Sequence, residues 1–226
     1  MRDRAVILLS GGADSTTLLA VALADDVDPV ALSVDYGQKH VAELDAARAV
    51  AGHYDVPHLI VTLPPTVFQG AGSALIDGPM PQVTYEELEA AEGVSPTYVP
   101  FRNANLISQA VAVALTIDAG YVYAAPHAED ARGWAYPDCT PEFNGAMGAA
   151  VYVGTYHKVR LRTPFQWMTK AEIVRVGLDL GVPFHLTLSC YEGSVPPCGT
   201  CPTCLARHAA FERAGAPDPL EHPTLA

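Results

Sequence analysis

The stretch Ser10-Gly11-Gly12-Ala13-Asp14-Ser15 sets two glycines, a carboxylate and hydroxyls where an apolar run, AVILL, gives way to an apolar helical pattern. Glycines let backbone approach an anion closely. The unpaired N–H groups of a helix start point at that anion, and the helix dipole favours its charge. Ser10, Ser15, Thr16 and Thr17 add hydroxyl donors. Asp14 is the odd member, because a carboxylate beside phosphate needs a cation between them, and Mg²⁺ is the natural one. The lysine of the G-x-x-x-x-G-K-[ST] loop is absent. Taken alone, SGG is equally well explained as a tight strand-to-helix turn with Asp14 or Ser15 as N-cap.

A second grouping lies near the C-terminus. Cys190, Cys198, Cys201 and Cys204 follow the spacing C-x7-C-x2-C-x2-C and account for four of the chain's five cysteines. Two overlapping C-x2-C turns plus one remote cysteine can close a tetrahedral four-thiolate zinc site. Pro196, Pro197, Gly199 and Pro202 supply the turns around it. Iron–sulfur clusters use similar spacings, so iron stays open beside zinc. Four protein ligands leave no position for chemistry, which makes such a site structural. Cys139, far away in YPDC, reads as a small buried residue.

These groups must be positioned by an α/β framework. RAVILLS, PVALSVDY, PHLIVTL, GYVYAAP and HKVRLRTPF read as five strands. Helices are expected over Ser15 to Ala24, over VAELDAARAVAGHY, and from Asn103 to Ile117. Further helices are expected from Glu142 to Gly154, over MTKAEIVRVGLDLG and over LARHAAFERAG. Alternation of strands and helices implies a parallel sheet with helices on its faces, and AVILL suits a strand covered on both sides. Thr169 and Glu172 form a capping-box pattern for a helix that stops at Gly181. Residues 64–82 and 127–143 read as loops, with a short exposed helix over YEELEAAEG. The division expected is 1–185 for the α/β unit and 186–226 for the cysteine segment and terminal helix.

Composition narrows the function. Half the residues are apolar, which supplies a core and argues against disorder. No apolar run reaches the roughly 18–20 residues of a membrane helix, and the N-terminal apolar run is too short for a signal peptide. The formal net charge of −12 disfavours a general nucleic-acid binder. Clustered cysteines without an export signal point to a reducing, cytoplasmic setting and a metal rather than disulfides.

The motifs SGGADSTT, DYGQKH, VPFRN, YPDCTPEF, TPFQWMTKAEIV and CGTCPTCLARHAAF occur in that order. Together they resemble the 7-cyano-7-deazaguanine synthases, a family of PP-loop ATPases, over nearly the whole chain. The resemblance implies a five-stranded parallel sheet of the adenine-nucleotide α-hydrolase type, Rossmann-like, with helices on both faces and a C-terminal zinc-binding segment. It implies ATP, Mg²⁺ and structural zinc as cofactors, a homodimer, and small-molecule partners: ATP, 7-carboxy-7-deazaguanine and ammonia. No direct nucleic-acid or membrane partner is expected. The implied reaction adenylates the carboxylate, lets ammonia form an amide, and dehydrates the amide to the nitrile.

Residue roles follow from the matched motifs. Leu9, Ser10, Gly11, Gly12, Ala13, Asp14, Ser15, Thr16 and Thr17 would bind ATP. Asp14, Arg102 and Lys170 would be catalytic; Arg102 suits a carboxylate or phosphate bidentately, although an ordinary surface arginine explains it as well. Lys170 sits in a first helical turn, against the dipole, which suits a phosphate partner or a merely solvated lysine. Arg102, Asn103, Tyr136, Asp138 and Glu142 would contact the acceptor, with Asp138 or Glu142 accepting N–H groups and Trp134 or Tyr136 stacking. Against these stand a turn role for Asp138 and core packing for the aromatics. His127, Glu129 and Asp130 fall at the carboxyl end of the fourth strand, where open α/β sheets bind ligands. His127 reads as a polar contact rather than a metal ligand. Other PP-loop ligases, such as a tRNA thiolase, and a nucleotide-binding zinc module that docks a protein, are the competing readings.

Overall fold

The computed structural model describes residues 3–39 and 42–220. The expectations for His40, Val41 and residues 221–226 fall outside them. β1 (Arg4–Leu8) lies at the centre of a five-stranded parallel sheet. β2 (Asp28–Asp35) and β3 (His58–Thr62) flank it on one side, β4 (Tyr121–Tyr123) and β5 (Arg160–Arg162) on the other, giving the order β3-β2-β1-β4-β5. Ile7 is in register with Ala31 of β2 and Tyr123 of β4.

Side-chain alternation along β1 explains why both faces are covered. Ala5, Ile7 and Leu9 pack with Leu18 and Leu19 of α1 (Ala13–Ala24), Ala47 and Val50 of α2 (Ala42–His53), and Ile173. Val6 points to the opposite face. After the short α3 (Tyr85–Ala90), α4 (Arg102–Thr116) supplies Ile107 and Ala110 to this second core. After α5 (Ala128–Ala131), α6 (Pro141–Gly154) adds Val151. Each fully buried Leu, Ile or Val contributes about 1.5–3 kcal/mol through burial. α7 (Lys170–Asp179) lies on the α1 face, and α8 (Pro202–Ala214) packs against it through Phe211, whose ring meets Phe184 at 5.1 Å.

Local rules set most element ends. Thr169 caps α7 with the expected box: its hydroxyl accepts the Glu172 N–H, and Glu172 accepts the Thr169 N–H at 2.7 Å. Gly215, at φ +78°, ends α8 in the left-handed conformation. Several boundaries differ from the expectation. α1 starts at Ala13 rather than Ser15, because extended Gly12 is its N-cap. α8 starts at Pro202 rather than Leu205, with proline in the first turn, where its missing N–H costs nothing. β4 and β5 are each three residues long, shorter than GYVYAAP and HKVRLRTPF suggest. Pro126 and Pro164 bring no N–H to a ladder there. Residues 127–143 are not a plain loop: they hold α5, single 3₁₀ turns at Arg132–Trp134 and Pro137–Cys139, and the start of α6.

The connections leaving β1 and entering β4 run on opposite faces of the sheet. The crevice between their carboxyl ends is where an open α/β sheet takes its ligand. On one face of the sheet α7 packs closely on α1. At Gly177 an added Cβ would collide with the Phe184 ring and lie 2.8 Å from Thr17 Oγ1. Gly177→Ala is therefore expected to cost about 1–3 kcal/mol by overpacking. Gly52→Ala, with no atom within 4 Å of the new methyl, should instead stabilise by about 0.4–1 kcal/mol. Urea unfolding of the two variants measures both, and equal effects would refute the close helix contact.

Candidate functional site

The turn between β1 and α1 is tied together from within: the Gly12 N–H donates to Ser10 Oγ at 3.3 Å, and the Ser15 hydroxyl reaches the Gly12 carbonyl at 3.2 Å. No side chain caps the start of α1, so its first-turn N–H groups lack intrahelical partners. Gly11, at φ +86°, lies so close to α2 that a Cβ would strike the Glu43 carbonyl and come within 2.6 Å of the Ala47 nitrogen. Only glycine fits there. Ser15 Oγ accepts the Ser10 N–H at 3.1 Å and lies 3.0 Å from Ser10 Oγ. Leu9, Ser10, Gly12, Asp14 and Ser15 face a cavity of about 260 Å³ at the carboxyl edge of the sheet. Thr16 and Thr17 do not. Both are fully buried, and their hydroxyls donate to the Gly12 and Ala13 carbonyls of their own helix.

A charged cluster closes the cavity on the α7 side. Lys170 Nζ donates to Asp14 Oδ2 at 2.8 Å, with side-chain exposures of 14% and 22%. Glu129 Oε1 accepts the Lys170 N–H, so an acidic side chain serves the start of α7. His127 is buried. Its Nδ1 accepts the Asp130 N–H at 3.4 Å, and its Nε2 lies 3.3 Å from Lys170 Nζ. That Nε2 lies 3.2 Å from Asp130 Oδ2 and 3.9 Å from Asp14 Oδ2. Burial alone would raise the Asp14 carboxyl, but the Lys170 ammonium, followed by His127, outweighs it and holds the pKa below the ordinary 3.8. Burial would likewise lower Lys170, but Asp14 and Asp130 push it above 10.5. Asp14 therefore stabilises the fold fully above pH 3.8 and loses that contribution as pH falls through its depressed value. Lys170 contributes fully below pH 10.5 and loses it as pH rises through its elevated value. The pair is intact across the neutral range.

Across the cavity stands Arg102, at the start of α4. Its Nη1 donates to the Tyr36 hydroxyl at 3.0 Å, and its guanidinium lies 5.6 Å from the centroid of that ring. It lines the cavity and is not an ordinary surface arginine. Asn103 donates its N–H to Asp138 Oδ2 at 2.8 Å, and its amide to the Asp138 carbonyl and Cys139 Sγ. Burial pushes the Cys139 thiol up, the opposite of what a nucleophile needs.

The four C-terminal cysteines converge. Their Sγ atoms all lie within 4.8 Å of one another, and none forms a disulfide. A tetrahedral ion with bonds of about 2.3 Å to sulfur spaces its ligands by about 3.8 Å, inside that limit, so the donor set fits a metal. The cluster packs on Ala42, Ala46 and Leu188. The Leu188 N–H, in turn, donates to the Gly11 carbonyl at 2.9 Å. The cysteine segment thus buttresses the glycine turn, and Leu188, Ser189, Tyr191 and Thr203 reach the cavity wall.

Comparison with known proteins decides the lineage. The family described as "Queuosine biosynthesis protein QueC" matches residues 4–215. The chain belongs to the QueC family. A 7-cyano-7-deazaguanine synthase of Methanoculleus marisnigri is 45% identical over 223 residues, covering 97% of this chain and 98% of that protein. One from Kineococcus radiotolerans is 42% identical over 226 residues, with coverages of 96% and 97%. Among solved structures, a 4-thiouridine synthetase–RNA complex with bound ATP aligns at a TM-score of 0.51 and 17% identity. That alignment covers 99% of this chain and 48% of that one, and it speaks to the fold alone.

Within this QueC-family chain the expected site residues separate. Asp14, Lys170, Arg102 and Asn103 meet at one cavity with Ser10, Gly12 and Ser15. Asp138 is buried as the acceptor for the start of α4 and is not part of the wall. Glu142 is exposed in the first turn of α6, away from the cleft. Trp134 is 58% exposed. Tyr136 lies in a neighbouring cavity. Tyr36, Ser189 and Tyr191 were not singled out from sequence. Tyr36 follows β2 directly, and its place at a strand's carboxyl end was the available signal.

Two measurements test this arrangement. Lys170→Met should lift the Asp14 carboxyl, since burial then acts with less opposition; carbon NMR titration reads it, and an unmoved titration refutes the pair. Cys201→Ala should lose bound metal, lower the melting temperature and weaken nucleotide binding through Leu188 and Gly11. Unchanged metal content and melting would remove the buttress.

Proposed function

We propose that this chain converts 7-carboxy-7-deazaguanine, ammonia and ATP to 7-cyano-7-deazaguanine, AMP and pyrophosphate. The observation that carries the reading is the uncapped glycine turn with Asp14, Lys170 and Arg102 around one cavity, in a chain that matches the family over residues 4–215. A carboxylate is a poor electrophile: its charge repels nucleophiles, and oxide is a bad leaving group. Attack of a carboxylate oxygen on the α-phosphorus makes the mixed anhydride and releases pyrophosphate. The turn from Ser10 to Ser15 holds the departing anion through its N–H groups and hydroxyls. Lys170 and Arg102 offset the charge that develops between the substrates. Ammonia then attacks the acyl carbon, and AMP and a proton leave. A second ATP adenylates the amide oxygen, and loss of AMP and the remaining nitrogen protons closes the nitrile.

Asp14 Oδ1 is buried with no hydrogen-bond partner among the described residues. A carboxylate oxygen left open beside a phosphate cradle suits Mg²⁺, which supplies charge neutralisation on the phosphates when bound. Zinc is the ion we assign to Cys190, Cys198, Cys201 and Cys204, as a structural site with no open position. The same reading takes 186–226 as a zinc-bearing appendage to an α/β unit of 1–185. It also takes the chain as a homodimer. Val153 and Tyr156, 69% and 89% exposed at the end of α6, support that assembly.

Incubation with ATP, ammonium and 7-carboxy-7-deazaguanine should give the nitrile by mass spectrometry, with AMP formation dependent on the acceptor. Asp14→Asn should reduce that turnover by about 100-fold or more, in keeping with loss of an electrostatic group at the reacting centre, while circular dichroism shows the fold retained with a lowered melting temperature, since Lys170 loses its partner. Full activity of the variant would overturn the role of the turn.

A further inference from the structure

A second cavity, of about 280 Å³, adjoins the first. Residues 91–96, and the stretch 127–143 that reads as a loop in the sequence, border it. The Ser95 N–H donates to the Ala135 carbonyl at 2.9 Å, and the Gly93 N–H to the Gly133 carbonyl at 3.2 Å. The Tyr136 hydroxyl is pinned by Thr97 Oγ1 at 2.5 Å and Ser95 Oγ at 3.3 Å, so its ring is held in place as a wall. Lys170, Asp130, Tyr191 and Thr203 line both cavities. The charged cluster is therefore the partition between them.

We infer that the second cavity is the acceptor subsite, which takes a flat bicyclic heterocycle with its carboxylate turned toward Lys170. The inference rests on the activity proposed above and adds the place and the residues.

Three observations lead there. Adenylation joins two substrates, and their reacting atoms must come within about 3–3.5 Å. The acceptor must therefore abut the phosphate cradle, and the second cavity does so across Lys170, whose Nζ touches Asp14. The first cavity already holds the cradle, and beyond it lies an apolar slot of Val34, Leu106 and Ile107, a surface that suits a purine base. The lining of the second cavity matches the remaining substrate. Tyr136, Tyr191 and Pro96 offer flat faces for a ring, Glu87 and Glu92 offer acceptors for a donor-bearing edge, and Lys170 and Arg132 offer cations for a carboxylate. Its volume is close to the lower end of small-molecule sites, about 300 Å³. Of the acceptor contacts expected from sequence, only Tyr136 belongs to this chamber; Asp138 and Glu142 do not line it.

Filling the cavity without touching the cradle tests the assignment. Ala206→Phe does so from α8, and Val83→Trp from the loop before α3, so failure of one variant to fold leaves the other. Calorimetry with α,β-methylene-ATP should give nucleotide affinity within about twofold of the wild type. The KM for 7-carboxy-7-deazaguanine should rise about tenfold or more, which corresponds to about 1.4 kcal/mol of binding free energy. Wild-type-like KM in both folded variants overturns the subsite alone, as does a parallel loss of nucleotide affinity. A wild-type chain that binds the analogue but neither binds nor converts the deazaguanine overturns the activity reading, and the subsite with it.

Discussion

The ion pair between Asp14 and Lys170 joins residues 156 positions apart in sequence, and the site is organised around it. Both sit in the first turn of their helices, and both helices start at the same edge of the sheet. Lys170 is the awkward member, a cation at the positive end of α7. Its position is tolerable because Asp14 meets its ammonium, Glu129 accepts its N–H, and Asp130 adds negative charge nearby. Removing one partner from a buried pair commonly costs about 3–5 kcal/mol, because an uncompensated charge remains; this pair, partly open to the cavity, lies below that limit.

The cradle depends equally on what stands behind it. Gly11 touches α2 on one side and accepts the Leu188 N–H on the other. The Leu188 segment is held by the cysteine cluster and by Arg207. That arginine is almost fully buried, pairs with Asp218 at 2.8 and 2.9 Å, and donates to Thr187 and the Phe184 carbonyl. Its Nε, Nη1 and Nη2 each meet an acceptor, the condition under which a buried charge is compatible with a packed interior. The cysteine cluster and the glycine turn are thus two ends of one hydrogen-bonded and packed connection.

Much of this was legible in the residues. AVILL announced a strand covered on both faces, Thr169 and Glu172 marked a helix start, and the cysteine spacing announced a converging cluster. All are local patterns, in which the residues that signal the structure are those that form it. The contacts that escaped are long-range. Nothing near Arg102 shows that it meets Tyr36, and nothing near Asp138 shows that it serves the start of α4. Thr16 and Thr17 were misleading for the opposite reason: hydroxyls in a phosphate loop look like donors to the ligand, yet back-bonding to their own helix occupies them. The second cavity was invisible because it arises where two irregular segments, each unremarkable alone, close on one another.

The strand order also has a bearing on how the molecule comes into being. β1 finds one neighbour, β2, after a short helical excursion, but its other neighbour, β4, is more than a hundred residues downstream, with Ala5 in register with Tyr121. Pairings of such separation carry a large entropic delay and slow the search. The half-sheet β3-β2-β1 can assemble while the chain is still being synthesised, with its central strand bare along one edge. The crevice beside the glycine turn is complete only when that edge is covered, so the cleft depends on a pairing made far along the chain.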